Sequence, residues 1–129
     1  MQRRKFLGII TGDVITVTED VPLPQVAKLM KDNDIGVIVV LNDGKVVGMV
    51  TERDIIRNVL ADNVPVDSVK ARDVMTRQVV MVELKEGLNN IYKTLCEMKF
   101  RHLLVMDNQK LVGITSRRDL LDVLLSKKG

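Results

Sequence analysis

The sequence predicts an α+β (α/β) fold made of two copies of a βαββα unit, and three observations support this prediction. The chain of 129 residues is long enough for one compact module. It repeats itself at an offset of 65 residues, which aligns 5–60 with 70–125 without a gap. Within each copy, short β-branched runs alternate with stretches whose apolar residues recur at helical spacing.

The repeat rests on thirteen identical pairs in 56 aligned positions, with conservative pairs at many of the others. This register predicts repeat one over 1–61, a linker over 62–69 and repeat two over 70–129. Units of this size rarely bury enough surface to be stable alone. The identical pairs include Thr11/Thr76, Gly48/Gly113, Arg53/Arg118 and Asp54/Asp119.

Each copy begins with an apolar run that predicts a short strand, at 14–17 in the first copy and 79–82 in the second. A helix is expected after each strand, because the next apolar residues recur at helical spacing. Asp20 suits the N-cap of the first helix, and Pro22 suits an early helical position. The apolar stripe consists of Leu23, Val26, Ala27 and Met30 in copy one, and of Leu88, Ile91, Tyr92 and Leu95 in copy two.

A β-hairpin is predicted next in each copy. In copy one, β-branched runs at 37–41 and 46–50 flank Asp43-Gly44, a pair typical of tight two-residue turns. The corresponding hairpin of copy two, over 102–115, lacks the glycine. We therefore expect a less tight turn in copy two.

A closing helix is predicted at the end of each copy, near 52–61 and 117–126. The three-stranded sheet of one copy is too small to shelter both of its faces. We therefore expect the two copies to pack through their sheets about a pseudo-twofold axis. Such an arrangement creates two equivalent clefts between the copies, and clefts of this kind commonly bind small molecules.

Composition and charge exclude several classes of protein. With one cysteine and one histidine, disulfide and zinc scaffolds are excluded, and Cys96 is expected to be structural, at the margin of the buried stripe of its helix. No apolar run reaches the roughly 18 residues of a membrane helix, so we expect a cytoplasmic protein without membrane contact. A net charge of +3 with only three aromatic residues argues against nucleic acid as a partner.

The junction between the last strand and the last helix carries residues suited to a ligand site. In copy one it reads Gly48-Met-Val-Thr51-Glu-Arg53-Asp54. The glycine lets another group approach the strand, and the threonine at a helix start suits a phosphate. The arginine neutralises phosphate charge, and the aspartate can accept hydrogen bonds from a ribose diol. Copy two repeats these residue types as Gly113, Ser116, Arg118 and Asp119.

A purely structural interpretation of the same junctions stays open. Ser/Thr-x-x-Asp is close to a capping box, in which two side chains satisfy amide groups at the helix start. For one copy taken alone, capping is the better explanation. Recurrence in register, together with the glycine, the arginine and the hairpin, favours a ligand site.

The chain as a whole resembles a tandem cystathionine β-synthase (CBS) domain protein, over about residues 5–126. The resemblance is carried by 70–82 (KARDVMTRQVVMV), by 101–107 (RHLLVMD) and by both Gly-x-x-Ser/Thr-x-x-Asp segments. It implies a non-catalytic regulatory module that binds adenosine-containing ligands in the clefts between its repeats. Ligands of that class are AMP, ADP, ATP and, in some members, S-adenosylmethionine.

Carried over residue by residue, the resemblance implies nucleotide-binding roles. Asp54 and Asp119 would bind the ribose, and Thr51 and Ser116 would bind the phosphate or the ribose edge. The adenine would lie against the opposite copy. Its contacts would be Ile10, Ile15 and Gly36 in the Asp119 cleft, and Met75, Val80 and Arg101 in the Asp54 cleft.

The two clefts differ in charge, and we expect the Asp119 cleft to bind nucleotide more tightly. Several cations that converge on one phosphate add charge-assisted hydrogen bonds. Glu52, Arg53, Gly36 and Val37 are near Asp54 in the sequence or the predicted fold, whereas Arg117, Arg118, Arg101 and His102 are near Asp119.

The predicted function is a stand-alone regulatory module that signals energy or metabolite state to a separate, unknown effector protein. We expect a homodimer that needs no obligatory cofactor and binds adenine nucleotide as a regulatory ligand. The alternative is an assembly module that homodimerises without ligand, and a nucleic-acid-binding protein is a weaker alternative. An enzyme is not predicted, because the clefts offer no nucleophile with its base and no set of metal ligands.

Overall fold

The computed structural model describes residues 14–98, 102–116 and 125, and these residues belong to two compact units. One unit spans 15–78, and the other contains Val14 and the described residues from Val79 onward. Each unit holds a three-stranded sheet together with helices, so the predicted α+β fold of two repeats is confirmed. The packing units divide the chain at a different place from the sequence repeat, and the domain boundaries drawn from the repeat stay a prediction.

The first unit is a mixed three-stranded sheet with helices between and after its strands. Its elements are β1 (Thr16–Thr18), α1 (Leu23–Asn33), β2 (Val37–Asn42), β3 (Lys45–Thr51), α2 (Glu52–Ile55) and α3 (Ala71–Val74). The strand order is β1-β2-β3, with β1 parallel to β2 and β2 antiparallel to β3. Because parallel strands need a crossover connection, α1 joins β1 to β2. A π-helical turn, Ile56–Leu60, continues α2.

The second unit repeats this pattern 65 residues later. Its described elements are β4 (Met81–Glu83), α4 (Leu88–Met98), β5 (His102–Asp107) and β6 (Lys110–Ser116). The strand order is β4-β5-β6, with the same parallel and antiparallel pairs as in the first unit. Even the register shift in β2 between Val40 and Leu41 recurs in β5 between Val105 and Met106. The predicted closing helix at 117–126 lies outside the described residues except for Leu125, which is helical.

The start of the first helix differs from the prediction. Pro22, with φ −62° and ψ 143°, is the N-cap residue of α1, and Pro24 lies in its first turn. The predicted N-cap, Asp20, is wrong, because the carboxylate of Asp20 accepts a 2.7 Å hydrogen bond from the Thr18 hydroxyl in the preceding turn. The first strand of each copy is also shorter than predicted and begins two residues later, with three residues in β1 and three in β4.

The core of the first unit combines side chains from its sheet, from α1 and from residues 69–75. In the middle of β2, Ile38 and Val40 are completely buried. Ala27, predicted in the apolar stripe, is exposed, since it lies about 100° round the helix from Val26. The other buried members are Val17 from β1, Val50 from β3, Val59 from the π-helical turn, Leu23, Val26 and Met30 from α1, and Val69, Ala71, Val74 and Met75 from the later segment.

Segment 69–76 is tied to the first unit by backbone hydrogen bonds as well as by its side chains. The Leu23 amide donates to the Val69 carbonyl at 2.9 Å, and the Ala71 amide donates to the Val21 carbonyl at 2.9 Å. These bonds hold segment 69–76 beside the start of α1. The sequence assigns most of this segment to repeat two, yet it completes the core of the first unit.

In the helix of the second unit, two residues of the predicted apolar stripe contact the core. Ile91 is completely buried in α4, and Tyr92 is partly buried against the same core. The expectation for Cys96 is wrong, because this side chain is exposed and takes no part in the described core. Among the helices that the structure describes, none combines the length and hydropathy needed to cross a membrane.

The two hairpins turn equally tightly, although only the first contains glycine. In the first hairpin, Asp43 has φ 51° and Gly44 has φ 77°. In the second, Asn108 has φ 51° and Gln109 has φ 71°. The prediction of a less tight turn in copy two is therefore wrong. Strand pairing fixes a two-residue connection there, since Asp107 pairs with Lys110, and the connection requires left-handed conformations.

Replacing Gln109 with glycine is expected to stabilise the protein by about 0.5–1 kcal/mol, because a left-handed residue with a Cβ is strained. The reciprocal change, Gly44→Gln, should destabilise it by a similar amount at the equivalent position. Urea denaturation of both variants measures these differences. A Gln109→Gly variant that unfolds at lower urea than the parent would contradict the expectation.

Candidate functional site

The junction of β3 and α2 in the first unit forms a capping box. The Asp54 amide donates to the Thr51 hydroxyl oxygen at 3.1 Å, and the Thr51 amide donates to Oδ2 of Asp54 at 2.9 Å. Both side chains are half-buried. The capping box expected from Ser/Thr-x-x-Asp is therefore formed in copy one. Any ligand that binds here would contact an aspartate that already caps a helix.

A third group, Thr76, fixes the other oxygen of Asp54. The Thr76 hydroxyl donates to Oδ1 of Asp54 at 3.0 Å across 22 residues of sequence. Thr76 is itself held by paired backbone bonds with Met49, of 3.0 Å and 2.8 Å. The sequence assigned no role to Thr76, although its identity with Thr11 in the repeat was a signal that could have marked it.

The glycine of the motif, Gly48, is explained by the approach of segment 69–76. A Cβ added to Gly48 would lie 2.8 Å from the Thr76 carbonyl oxygen and 2.9 Å from the Met75 sulfur. Contacts this short do not occur for real side chains, so the neighbouring backbone would have to move. The close approach expected from a glycine in a strand thus comes from residues 75–76, which also bring Met75 to the neighbourhood of Asp54.

Glu52 and Gly36 lie at the same end of the sheet. The Glu52 amide donates to the Gly36 carbonyl at 2.9 Å. The Glu52 side chain lies over Gly36, where a Cβ on the glycine would be 3.1 Å from Glu52 Cδ. Val37, the next residue, pairs with Thr51 across β2 and β3. These contacts bring Gly36, Val37 and Thr51 together. The adenine contact expected for Gly36 belongs to the cleft of Asp119, and Asp119 lies outside the described residues.

The amide groups at the start of α2 are largely engaged within the protein. The Glu52 amide bonds to Gly36, and the Asp54 amide bonds to Thr51. A phosphate at a helix start needs amide groups that point at it unpaired. In copy one the first turn therefore offers less to a phosphate than the sequence motif suggests.

The remaining predicted site residues divide between the two units and the undescribed parts of the chain. In the first unit, the Ile15 carbonyl accepts from the Val39 amide at 3.1 Å. In the second, the Val80 carbonyl accepts from the Leu104 amide at 2.9 Å, and His102 pairs with Ser116 across β5 and β6. Arg53, His102 and Ser116 have interactions with other groups. Ile10, Arg101, Arg118 and Asp119 lie outside the described residues.

An open groove of about 390 Å³ lies at the hairpin end of the first sheet, opposite the end that holds Thr51. Hydrogen bonds from the Thr18 hydroxyl and the Asp20 backbone, and then the charges of Lys70 and Arg72, lower the pKa of Asp20 there. Within the described residues, no three His, Cys, Asp or Glu side chains are grouped as a metal site requires. The groove is lined by Thr18, Glu19, Asp20, Leu41, Asn42, Asp43 and Arg72.

Comparison with known proteins accounts for both copies of the repeat. The family model described as CBS domain matches residues 4–61 and 71–126, which together make up most of the chain. The chain belongs to the CBS domain family. The match confirms the resemblance that was drawn for this CBS pair from residues 70–82 and from the repeated Gly-x-x-Ser/Thr-x-x-Asp segments.

Relatives of this CBS pair occur among archaeal and bacterial proteins. It is 36% identical over 123 residues to an uncharacterized 17.7 kDa protein of Acidianus ambivalens, covering 94% of this chain and 73% of that one. It is 34% identical over 113 residues to an uncharacterized protein of Methanopyrus kandleri, covering 86% of this chain but only 58% of that relative. The solved CBS-domain containing protein from Agrobacterium tumefaciens superimposes with a TM-score of 0.75 at 30% identity, covering 88% of this chain and 90% of that one.

Proposed function

We propose that this CBS pair is a non-enzymatic regulatory module whose Asp54 binds the ribose of an adenosine-containing ligand. CBS pairs are generally regulatory modules that bind ligands, and membership of that family supports the general class. The observation that carries the ligand class is the fixed carboxylate of Asp54, held by the Thr51 amide and the Thr76 hydroxyl. Binding would alter a separate effector protein.

The geometry of Asp54 suits a vicinal diol. Each carboxylate oxygen has two acceptor sites, and the protein uses one on Oδ1 and one on Oδ2. The second acceptor site of each oxygen could accept a hydrogen bond from one ribose hydroxyl. Because the capping box and Thr76 hold the carboxylate in place, little ordering entropy would be lost when a diol binds.

A second candidate is an assembly module that forms homodimers without ligand. Its support is the exposed apolar side chains of the π-helical turn, where Ile56 is 56% and Leu60 is 60% exposed. Apolar side chains grouped on a surface often mark contact with another protein. The two candidates are separable, because only the first requires a ligand to stabilise the folded chain.

A ligand of the proposed class should raise the thermal midpoint of the protein. A ligand at 100 times its Kd adds about 2.7 kcal/mol to the free energy of unfolding, which corresponds to a shift of several degrees. Thermal melts with AMP, ATP and S-adenosylmethionine measure this shift. The single variant Asp54→Ala should reduce this shift, and the single variant Asp119→Ala should reduce it by a larger amount. The control Asp62→Ala, which removes an exposed carboxylate, should leave the shift unchanged.

The results divide the two candidates clearly. No shift with millimolar concentrations of any of the three ligands would favour the assembly module. A larger loss from Asp54→Ala than from Asp119→Ala would contradict the expected order of the two sites.

A further inference from the structure

We infer that Glu52 makes the Asp54 site select nucleosides and monophosphates and disfavour di- and triphosphates. This inference rests on the proposed function, because it assumes that adenosine ligands bind at Asp54. It concerns the first unit alone, and it assigns to Glu52 the preference of the site among ligands of different charge. Its subject is the relative affinity of one site for ligands that share an adenosine and differ in phosphate number.

The position of Glu52 places a negative charge at the start of α2. Glu52 directly follows Thr51, the residue expected at the phosphate or ribose edge. Its backbone is fixed by the 2.9 Å bond from the Glu52 amide to the Gly36 carbonyl. Its side chain lies over Gly36, which has no Cβ to push the carboxylate away. The carboxylate of Glu52, an exposed residue, therefore lies beside the junction.

The positive potential that usually attracts phosphate to a helix start is weakened at this junction. The Glu52 and Asp54 amides already donate to protein acceptors. Two carboxylates, Glu52 and Asp54, accompany one guanidinium, Arg53, which has an interaction of its own. Added phosphates bring further negative charge to a junction whose formal charge is already negative, and each addition costs affinity.

The repeat provides a comparison within the same chain. The position of Glu52 corresponds to Arg117 in the second copy at the offset of 65 residues. Three other positions of the motif also differ, as Met49/Ile114, Val50/Thr115 and Thr51/Ser116, but all of these residues are uncharged. The position of Glu52 is therefore the only one in the junction sequence at which the charge differs. A change in the sign of the side-chain charge at one position of a repeated motif is consistent with two sites that prefer ligands of different charge.

The experiment measures the affinities of adenosine, AMP and ATP for the full chain by calorimetry, without magnesium so that ATP keeps its full charge. All variants carry Asp119→Ala, so that binding reports the Asp54 site. Glu52→Gln should raise the affinity for ATP about fivefold and Glu52→Lys more, while the affinity for adenosine changes less than about twofold. Asp43→Asn, a matched charge removal at the opposite end of the sheet, should leave the ratio unchanged, and asparagine suits the left-handed conformation there.

Salt gives a second readout that a purely structural role of Glu52 would not change. The preference for adenosine over ATP should shrink as ionic strength rises in the parent, and this dependence should weaken in Glu52→Gln. If adenosine binds but the ATP-to-adenosine ratio is the same in the parent and Glu52→Gln, the inference is wrong and the proposed function stands. If Asp54→Ala does not weaken the binding of adenosine, the proposed site is wrong and the inference falls with it.

Discussion

Replacing Gly48 with alanine is expected to destabilise the protein by about 3 kcal/mol, because overpacking costs about 1–3 kcal/mol and each lost hydrogen bond about 1 kcal/mol. The added Cβ would lie 2.8 Å from the Thr76 carbonyl oxygen. Backbone cannot swing aside as a flexible side chain can, so residues 75–76 must move away from β3. That movement breaks the paired bonds between Met49 and Thr76. The free energy of unfolding in urea measures the loss.

The matched control is Gly44→Ala in the hairpin. A Cβ at Gly44 meets nothing within 4 Å, and the only cost is its positive φ of 77°. That substitution should cost about 1 kcal/mol. Equal losses for Gly48→Ala and Gly44→Ala would show that contact with segment 69–76 is not what requires glycine at Gly48.

Replacing Ala71 with glutamate is expected to cost about 4 kcal/mol, because the change places a carboxylate in the core without a partner. Ala71 is completely buried with Val69 and Val74 in the core of the first unit. Its amide also donates to the Val21 carbonyl. Insertion of glutamate should therefore detach segment 69–76 from the start of α1. Chemical denaturation with circular dichroism detects the loss.

The same substitution at an exposed alanine provides the control. Ala27 lies on the exposed face of α1. There, Ala27→Glu should change the free energy of unfolding by less than about 0.5 kcal/mol. If Ala71→Glu is as well tolerated as Ala27→Glu, segment 69–76 is not part of the core in solution.

The parts of the fold that local pattern determines were predictable. Alternation of β-branched runs with Asp43-Gly44 between them located β2 and β3 to within a residue. Helical spacing of Leu23, Val26 and Met30 located α1 in the same way. The start of α1 was predicted less well, since Thr18 engages Asp20 and the helix begins instead at a proline.

Contacts between distant residues were not predictable from such patterns. The bond between Thr76 and Asp54 spans 22 residues, and no periodicity encodes it. The glycine at Gly48 correctly indicated a close approach, yet only the folded chain identifies residues 75–76 as the partner. The turn at Asn108 and Gln109 shows the opposite case, in which strand pairing overrides a poor local choice of residue.

Segment 69–76 packs in the core of the first unit, although the sequence repeat assigns most of it to the second copy. The unit that repeats in the sequence is therefore not the unit that packs in the fold. A copy of the gene that ended at residue 61 would encode a sheet whose core lacks Val69, Ala71 and Val74. During synthesis on a ribosome, the first sheet can complete its core only after the opening residues of the next repeat have emerged. The linker is not a free spacer at which the two copies can be cut apart and exchanged as cassettes.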